Sequence, residues 1–132
     1  IDSALVTEVR RAGQVIVGAD AVTDEIVVNK CGTLALSLVA KEYGVPVLAV
    51  AEDSKLLPNA LLPESDRQRD PREVWDGAPA GVTVRNRYFE KVPLKYIRTF
   101  VLEDGPADER SVKKRLEKPG PGLERLAGLL AG

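Results

Sequence analysis

Two short apolar runs, Val15–Gly18 and residues 46–50, constrain the fold of this chain more than any other feature of its sequence. Neither run alternates with polar residues, which is typical of strands that are buried on both faces. Between them, a helical spacing of apolar residues begins after Thr33 and ends at Gly44. Strand, helix and strand in this order predict a βαβ unit, and therefore a parallel sheet with a right-handed crossover.

The segment before the first run predicts a short helix over residues 4–12, with Asp2 and Ser3 as candidate caps and Gly13 as its C-terminal stop. In a doubly wound sheet, such a helix normally follows an earlier strand. The sequence also contains no methionine, even at its first position. We therefore expect these residues to form the second part of an α/β domain. Its open sheet edge should associate with a second copy or with the missing part.

Composition narrows the chemistry that the chain can perform. The 132 residues include no histidine and one cysteine, which excludes Ser-His-Asp and Cys-His catalysis, His-ligated zinc and sites built from several cysteines. A net charge of −1 argues against nucleic acid and anionic membranes as partners. No apolar stretch approaches the length that spans a bilayer, and no targeting segment is visible. We expect a cytoplasmic protein that uses no metal or cofactor.

The remainder of the chain is less regular. Residues 53–79 are rich in Pro, Asp and Arg and exceed the usual loop length, which indicates a functional loop or a surface laid against a partner, with Trp75 as an anchor. Residues 82–84 and 97–102 predict further strands, and residues 111–116 predict a short charged helix. We divide the chain into a domain over residues 1–105 and a second part over 106–132. The second part includes a Pro/Gly linker at 118–122 and an amphipathic tail at 123–130.

Polar residues gather where the first strand ends and the predicted helix begins. Asp20 follows the strand, and ligands of open α/β sheets bind outside this edge. Asn29 and Lys30 come just before the expected helix. Gly32 and Thr33 open that helix, where unpaired N–H groups favour a phosphate. These residues predict a site for a small phosphorylated molecule with a carboxylate placed for proton transfer. The alternative is that they cap turns and face the solvent.

Two other groups of charged residues are weaker candidates. Glu52 and Asp53 follow the second strand, where they either face the same crevice or cap a turn. Arg85 and Arg87 either bind phosphate or flank a strand on its solvent side, and we favour the second interpretation. The alternating charges of residues 66–73 are typical of a solvated loop that pairs with itself.

Three motifs in this region occur together in one known family. They are Gly18-Ala19-Asp20, Asn29-Lys30-Cys31-Gly32-Thr33 and Ala40-Lys41-Glu42-Tyr43-Gly44-Val45-Pro46. With further matches at residues 2–4, 69–74 and 81–93, the chain resembles the family of the α, β and δ regulatory subunits of translation initiation factor 2B. That family also includes isomerases of methylthioribose-1-phosphate and ribose-1,5-bisphosphate. The resemblance runs to about residue 105.

The resemblance implies a Rossmann-like C-terminal domain that forms a homodimer. It also implies that Asn29 and Lys30 contact a phosphorylated sugar, and that Asp20 is a catalytic acid/base. Regulatory subunits often replace the residue at the position of Asp20, so its presence favours the isomerases. We therefore predict the conversion of an aldose whose anomeric carbon carries phosphate into a ketose. The alternative is a noncatalytic module of translation initiation that senses a sugar phosphate or nucleotide.

Two features depart from the family pattern. The catalytic cysteine of the isomerases lies upstream of the matched region. Cys31 occupies the aliphatic position of its motif, where we expect a buried small hydrophobe rather than a nucleophile. The loop before Asn29 carries Asp24 and Glu25 in place of a glycine and is about one residue shorter, which affects the placement of Lys30.

Overall fold

A computed structural model of the chain describes residues 2–62 and 68–117. The strands are β1 (Val15–Gly18), β2 (Ala21–Val22), β3 (Ile26–Lys30), β4 (Val47–Val50), β5 (Phe89–Pro93), β6 (Thr99–Leu102) and β7 (Gly105–Ala107). The α-helices are α1 (Leu5–Arg11), α2 (Thr33–Glu42) and α3 (Glu109–Leu116). Short 3₁₀ turns occur at Asp2–Ala4, Asp53–Lys55, Asn59–Leu61, Pro71–Glu73 and Leu94–Tyr96.

A four-stranded sheet with the order β1-β4-β6-β7 forms the main layer. β1, β4 and β6 run parallel, and β7 joins the edge antiparallel to β6. Val17 pairs with Ala49, and Ala49 pairs with Phe100. The two apolar runs therefore lie side by side as parallel strands with α2 in their connection, so the predicted βαβ unit and the α/β fold are confirmed.

A second sheet contains three antiparallel strands in the order β2-β3-β5. Its strands β2 and β3 lie between β1 and α2 in the chain, whereas β5 follows β4. Val27 in its central strand pairs with Val22 on one side and with Val92 on the other, and all three side chains are fully buried. The sequence pattern does not predict this sheet, because β5 lies far along the chain and meets β3 only in the tertiary structure. The sheet determines where Asn29 and Lys30 point.

The prediction that the first strand is buried on both faces is wrong. Val17 points into the core, where it belongs to one apolar cluster with Phe100, Val9 of α1, Ala40 of α2 and Val112 of α3. On the other face of the sheet, Ile16 of β1 is 59% exposed and Val50 of β4 is 45% exposed. The described helices pack on one side of the sheet only, so an apolar run here does not mean burial on both sides.

The helix boundaries follow local hydrogen bonding. α1 begins at Leu5 after a 3₁₀ turn, and no side-chain hydrogen bond caps it within the described residues, so the predicted caps are wrong. α2 ends before Gly44, whose φ of 67° reverses the chain as expected. α3 begins two residues earlier than predicted because the carboxylate of Asp108 accepts the N–H of Ser111 (2.8 Å). In the part of the chain described, no helix is long and apolar enough to cross a membrane.

Residues 82–84 form no strand, so the prediction of a strand there is wrong. The long loop after β4 is held in place by hydrogen bonds of one buried side chain. Asn86 is 6% exposed, and its amide donates to the carbonyl of Asp70 (2.8 Å) and to Glu73 Oε2 (2.7 Å). The backbone carbonyl of Asn86 accepts the backbone N–H of Arg69 (2.8 Å). Trp75, the expected anchor, is 51% exposed. The predicted linker at 118–122 and the tail at 123–130 lie outside the described residues.

Candidate functional site

Asp20 lies just beyond the carboxyl end of β1, as predicted, with an exposed side chain. Its backbone N–H donates to the carbonyl of Val28 in β3 (2.8 Å). The antiparallel sheet therefore holds the backbone of this residue while leaving its carboxylate accessible to a ligand.

The half-buried side chain of Asn29 is oriented by the start of α2. Its Nδ2 donates to Thr33 Oγ1 (3.0 Å), and the same hydroxyl donates to the carbonyl of Lys30 (2.7 Å). A Cβ atom at Gly18 would lie 4.0 Å from Asn29 Oδ1, so the end of β1 and this amide are neighbours. The structure thus brings together Gly18, Asn29 and Thr33 from three separate elements.

Lys30 departs from β3 on the opposite face from Asn29, because side chains alternate along a strand. Its Nζ lies 3.7 Å from the centre of the Phe89 ring and 5.5 Å from that of Tyr88. Arg69 lies 5.0 Å from the Tyr88 ring. Within the described residues Lys30 makes no ion pair, so its exposed ammonium group is available to an anion.

Glu90, which the sequence analysis does not single out, occupies the N-terminus of α2. It lies opposite Asn29 on the neighbouring strand, and its Oε1 accepts the N–H of Leu34 (2.8 Å). A carboxylate is favourable here because the first turn of a helix presents unpaired N–H groups and the positive end of its dipole. The Leu34 N–H, one of the groups expected to bind phosphate, therefore already donates a hydrogen bond to Glu90. Binding of phosphate at Gly32 and Thr33 stays a prediction, and a ligand there would have to share this turn with Glu90.

The turn between β3 and α2 exposes Cys31, so the prediction of a buried small hydrophobe at this position is wrong. The backbone N–H of Cys31 donates to the carbonyl of Tyr88 (2.9 Å), which continues the pairing of β3 with the segment before β5. Gly32, with φ of 104°, then turns the chain into α2. This left-handed conformation is costly for residues with a side chain, which explains the glycine.

The carboxyl ends of β1, β4 and β6 border an open cavity of about 420 Å³. Its lining includes Gly18, Ala19, Glu52 and Lys55 but not Asp20, Asn29 or Lys30. Glu52 accepts the hydroxyl of Ser54 (3.1 Å), and the N–H of Asp53 donates to Glu103 (3.4 Å). The Glu52 carboxylate therefore makes a local turn contact and also faces the crevice, whereas the Asp53 carboxylate lies 3.7 Å from Arg115.

No three His, Cys, Asp or Glu side chains in the described ranges gather closely enough to hold a metal ion.

Comparison with known proteins finds similar sequences among sugar-phosphate isomerases and a similar structure in a translation initiation factor subunit. The chain is 36% identical over 120 residues to ribose 1,5-bisphosphate isomerase of Haloterrigena turkmenica, covering 80% of this chain and 37% of that protein. It is 36% identical over 111 residues to methylthioribose-1-phosphate isomerase of Carboxydothermus hydrogenoformans, covering 76% and 32%. The crystal structure of translation initiation factor eIF-2B subunit delta from A. fulgidus matches with a TM-score of 0.74 at 28% identity, covering 88% of this chain and 37% of that one.

The chain spans about a third of the length of these relatives. Residues 1–108 match the model of the Initiation factor 2 subunit family. This range includes β1, the antiparallel sheet that carries Asn29 and Lys30, and α2. The chain therefore belongs to the Initiation factor 2 subunit family.

Proposed function

We propose that this chain binds a phosphorylated sugar and forms part of an enzyme that converts an aldose 1-phosphate into a ketose. The observation that carries the proposal is the arrangement at the end of β1. The Asp20 carboxylate is exposed on a backbone held by β3, and Thr33 orients the amide of Asn29 beside Gly18. The relatives named above as isomerases of ribose 1,5-bisphosphate and methylthioribose-1-phosphate support the same chemistry.

The proposed reaction needs two proton transfers and one hydrogen shift. The ring oxygen takes a proton as its bond to C1 breaks. A hydrogen then moves with its electron pair from C2 to C1, and the C2 hydroxyl loses its proton to a base as the ketone forms. Asp20 would exchange one of these protons, because its accessible carboxylate can act as acid or base. Lys30 would neutralise the phosphate, and Asn29 would bind a sugar hydroxyl.

Isothermal titration with ribose 1,5-bisphosphate and with methylthioribose-1-phosphate tests the binding step. Lys30→Ala should weaken binding of at least one of these sugars by about tenfold, because a phosphate loses its cationic partner. Lys91→Ala is the matched control, since Lys91 is exposed on the neighbouring strand and should leave binding unchanged. Equal binding by wild type and Lys30→Ala, or no binding to either, would show the proposal to be wrong.

A noncatalytic regulatory module is the second candidate, favoured by the structural match to eIF-2B subunit delta. The two candidates differ in whether the bound sugar is converted. If the chain is part of an isomerase, the full-length protein that contains it should convert the sugar phosphate into a ketose. Asp20→Asn should remove that turnover while retaining binding. Binding without turnover in both proteins would favour the regulatory module.

We also propose that the protein works in the cytoplasm and forms a homodimer through this domain, as the family resemblance implies. The partner is then a second copy of the chain, and neither nucleic acid nor a membrane takes part. Sedimentation of the protein with and without a phosphorylated sugar would test the dimer. A protein that stays monomeric at all concentrations would contradict it.

A further inference from the structure

A second and larger cavity lies at the other end of the parallel strands from Asp20. It has a volume of about 1450 Å³ and is bordered by the C-terminal end of α2, the starts of β4 and β6, and the start of α3. Because β1 and β4 are parallel, their N-terminal ends lie at the same edge, away from the candidate sugar-phosphate site. The cavity therefore shares no residue with that site.

Positive charge is concentrated in this cavity, although the whole chain has a net charge of −1. Six cationic side chains and three carboxylates line it, which gives the lining a net charge of +3. The cationic residues are Lys41, Lys95, Arg98, Arg110, Lys113 and Lys114. The carboxylates belong to Asp108, Glu109 and Glu117. A cleft lined mainly by one sign of charge attracts ligands of the opposite sign.

Among the described residues, five of these six cations form no ion pair with a carboxylate. Lys113 forms an ion pair with Glu109 (2.6 Å). Lys41 and Lys95 each lie 5.2 Å from the centre of the Tyr96 ring, which attracts a cation without neutralising it.

Arg98 and Lys114 make no ion pair within the described residues. The pKa of Asp108 lies below its ordinary value, mainly because of hydrogen bonds from Ser111. The positive charge of the nearby Arg110 lowers this pKa further. Asp108 also accepts the N–H of Ser111, so the start of α3 is already capped and adds little to the attraction of an anion. The attraction comes from the side chains.

We propose that this cavity binds a molecule that carries several phosphate groups, at a site separate from the candidate sugar-phosphate site. Cations from α2, the turn before β6 and α3 converge on one opening, so a ligand with charge at several points would contact more of them than a single phosphate would. The guanidinium group of Arg98 can bind a phosphate through two parallel hydrogen bonds, and Lys114 adds a mobile point charge. The proposal does not depend on the isomerase function.

Titration of the 132-residue chain with inorganic tripolyphosphate tests this proposal. The Arg98→Ser/Lys114→Ser variant should raise the Kd about fivefold or more, because the loss of one charge at contact distance weakens the binding of an anion several-fold even in water. Arg85→Ser/Lys91→Ser is the matched control, since it removes the same charge from exposed positions outside the cavity. The control should change the Kd less than twofold. Circular dichroism checks that both variants are folded.

Amide chemical shifts in the wild-type chain locate the bound anion without any substitution. Tripolyphosphate should shift the amides of residues 95–98 and 110–114, and leave those of residues 20, 29 and 30 unchanged. Three outcomes would overturn the proposal: no binding, equal weakening in the cavity variant and its control, or shifts confined to residues 20, 29 and 30. The last outcome would assign the anion to the sugar-phosphate site and leave the proposed function standing.

Discussion

The two sheets of this protein are held in place in different ways. In the parallel sheet, Val17, Ala49 and Phe100 lie side by side in a core that the helices cover from one face. The antiparallel sheet shares that core through Val27 and Val92, but its far end is polar and is joined to α2 by hydrogen bonds. The comparison shows that apolar burial builds the frame, while a few directional hydrogen bonds orient the candidate site.

The largest expected effect is on the core of the parallel sheet. Phe100 is fully buried between β4 and β7, so Phe100→Ala leaves a cavity and should lower the free energy of unfolding by about 3–5 kcal/mol. The next residue, Val101, is half-buried on the outer face, and Val101→Ala should cost less than about half as much. Urea unfolding of both variants measures the difference. Equal destabilisation would show that the two faces are covered alike.

A smaller effect is expected where the antiparallel sheet meets α2. Glu90→Ala removes the acceptor of the Leu34 N–H and should lower the free energy of unfolding by about 1 kcal/mol, as the loss of a helix cap does. It should also tighten sugar-phosphate binding, because it frees the Leu34 N–H and removes a negative charge from the turn where phosphate is expected at Gly32 and Thr33. Glu103→Ala is a suitable control, since Glu103 is exposed and its carboxylate accepts a long 3.4 Å hydrogen bond from the Asp53 N–H rather than one at a helix start. If both variants behave alike in urea unfolding and in titration, the role given to Glu90 is wrong.

The outer face of the parallel sheet should affect association more than stability. Ile16→Thr replaces a side chain that is mostly exposed, so the free energy of unfolding should change by less than about 0.5 kcal/mol. The predicted association of the chain with a second copy should weaken, because this substitution removes apolar surface from the edge strand β1. Sedimentation velocity at high concentration measures it. A wild-type chain that is monodisperse and monomeric there would contradict the prediction of self-association.

The smallest effect concerns pH at the start of α3. Hydrogen bonds from Ser111 hold the pKa of Asp108 below its ordinary value. A carboxyl whose pKa is lower in the folded state adds stability above its unfolded pKa, about 3.9, and this stability is lost as pH falls through the folded value. Asp108→Asn should therefore be less stable than wild type at pH 7, and the difference should shrink towards pH 3. Thermal unfolding at the two pH values tests this, and a constant difference would argue against it.

The candidate site shows how far sequence reasoning reaches. Asp20 lies at the end of β1, and Asn29 precedes α2, because strand and helix boundaries follow local patterns of apolar residues and glycine. Glu90 carries no such local signal. It meets Leu34 only because β5 pairs with β3, and the two residues are 56 positions apart in the chain. The prediction for Cys31 is wrong for a different reason, because an aliphatic position in a motif does not specify which side of a turn faces the solvent.

By itself, the sequence determined the parallel βαβ frame, the bounds of α2 and the identity of the polar residues at the end of β1. These features depend on residues close together in the chain, where periodicity and turn chemistry act directly. The tertiary structure decided that Lys30 and Asn29 lie on opposite faces of β3, that Glu90 caps α2, and that Ile16 lies outside the core. Those outcomes depend on which strands pair and on which face the helices cover, and local periodicity specifies neither.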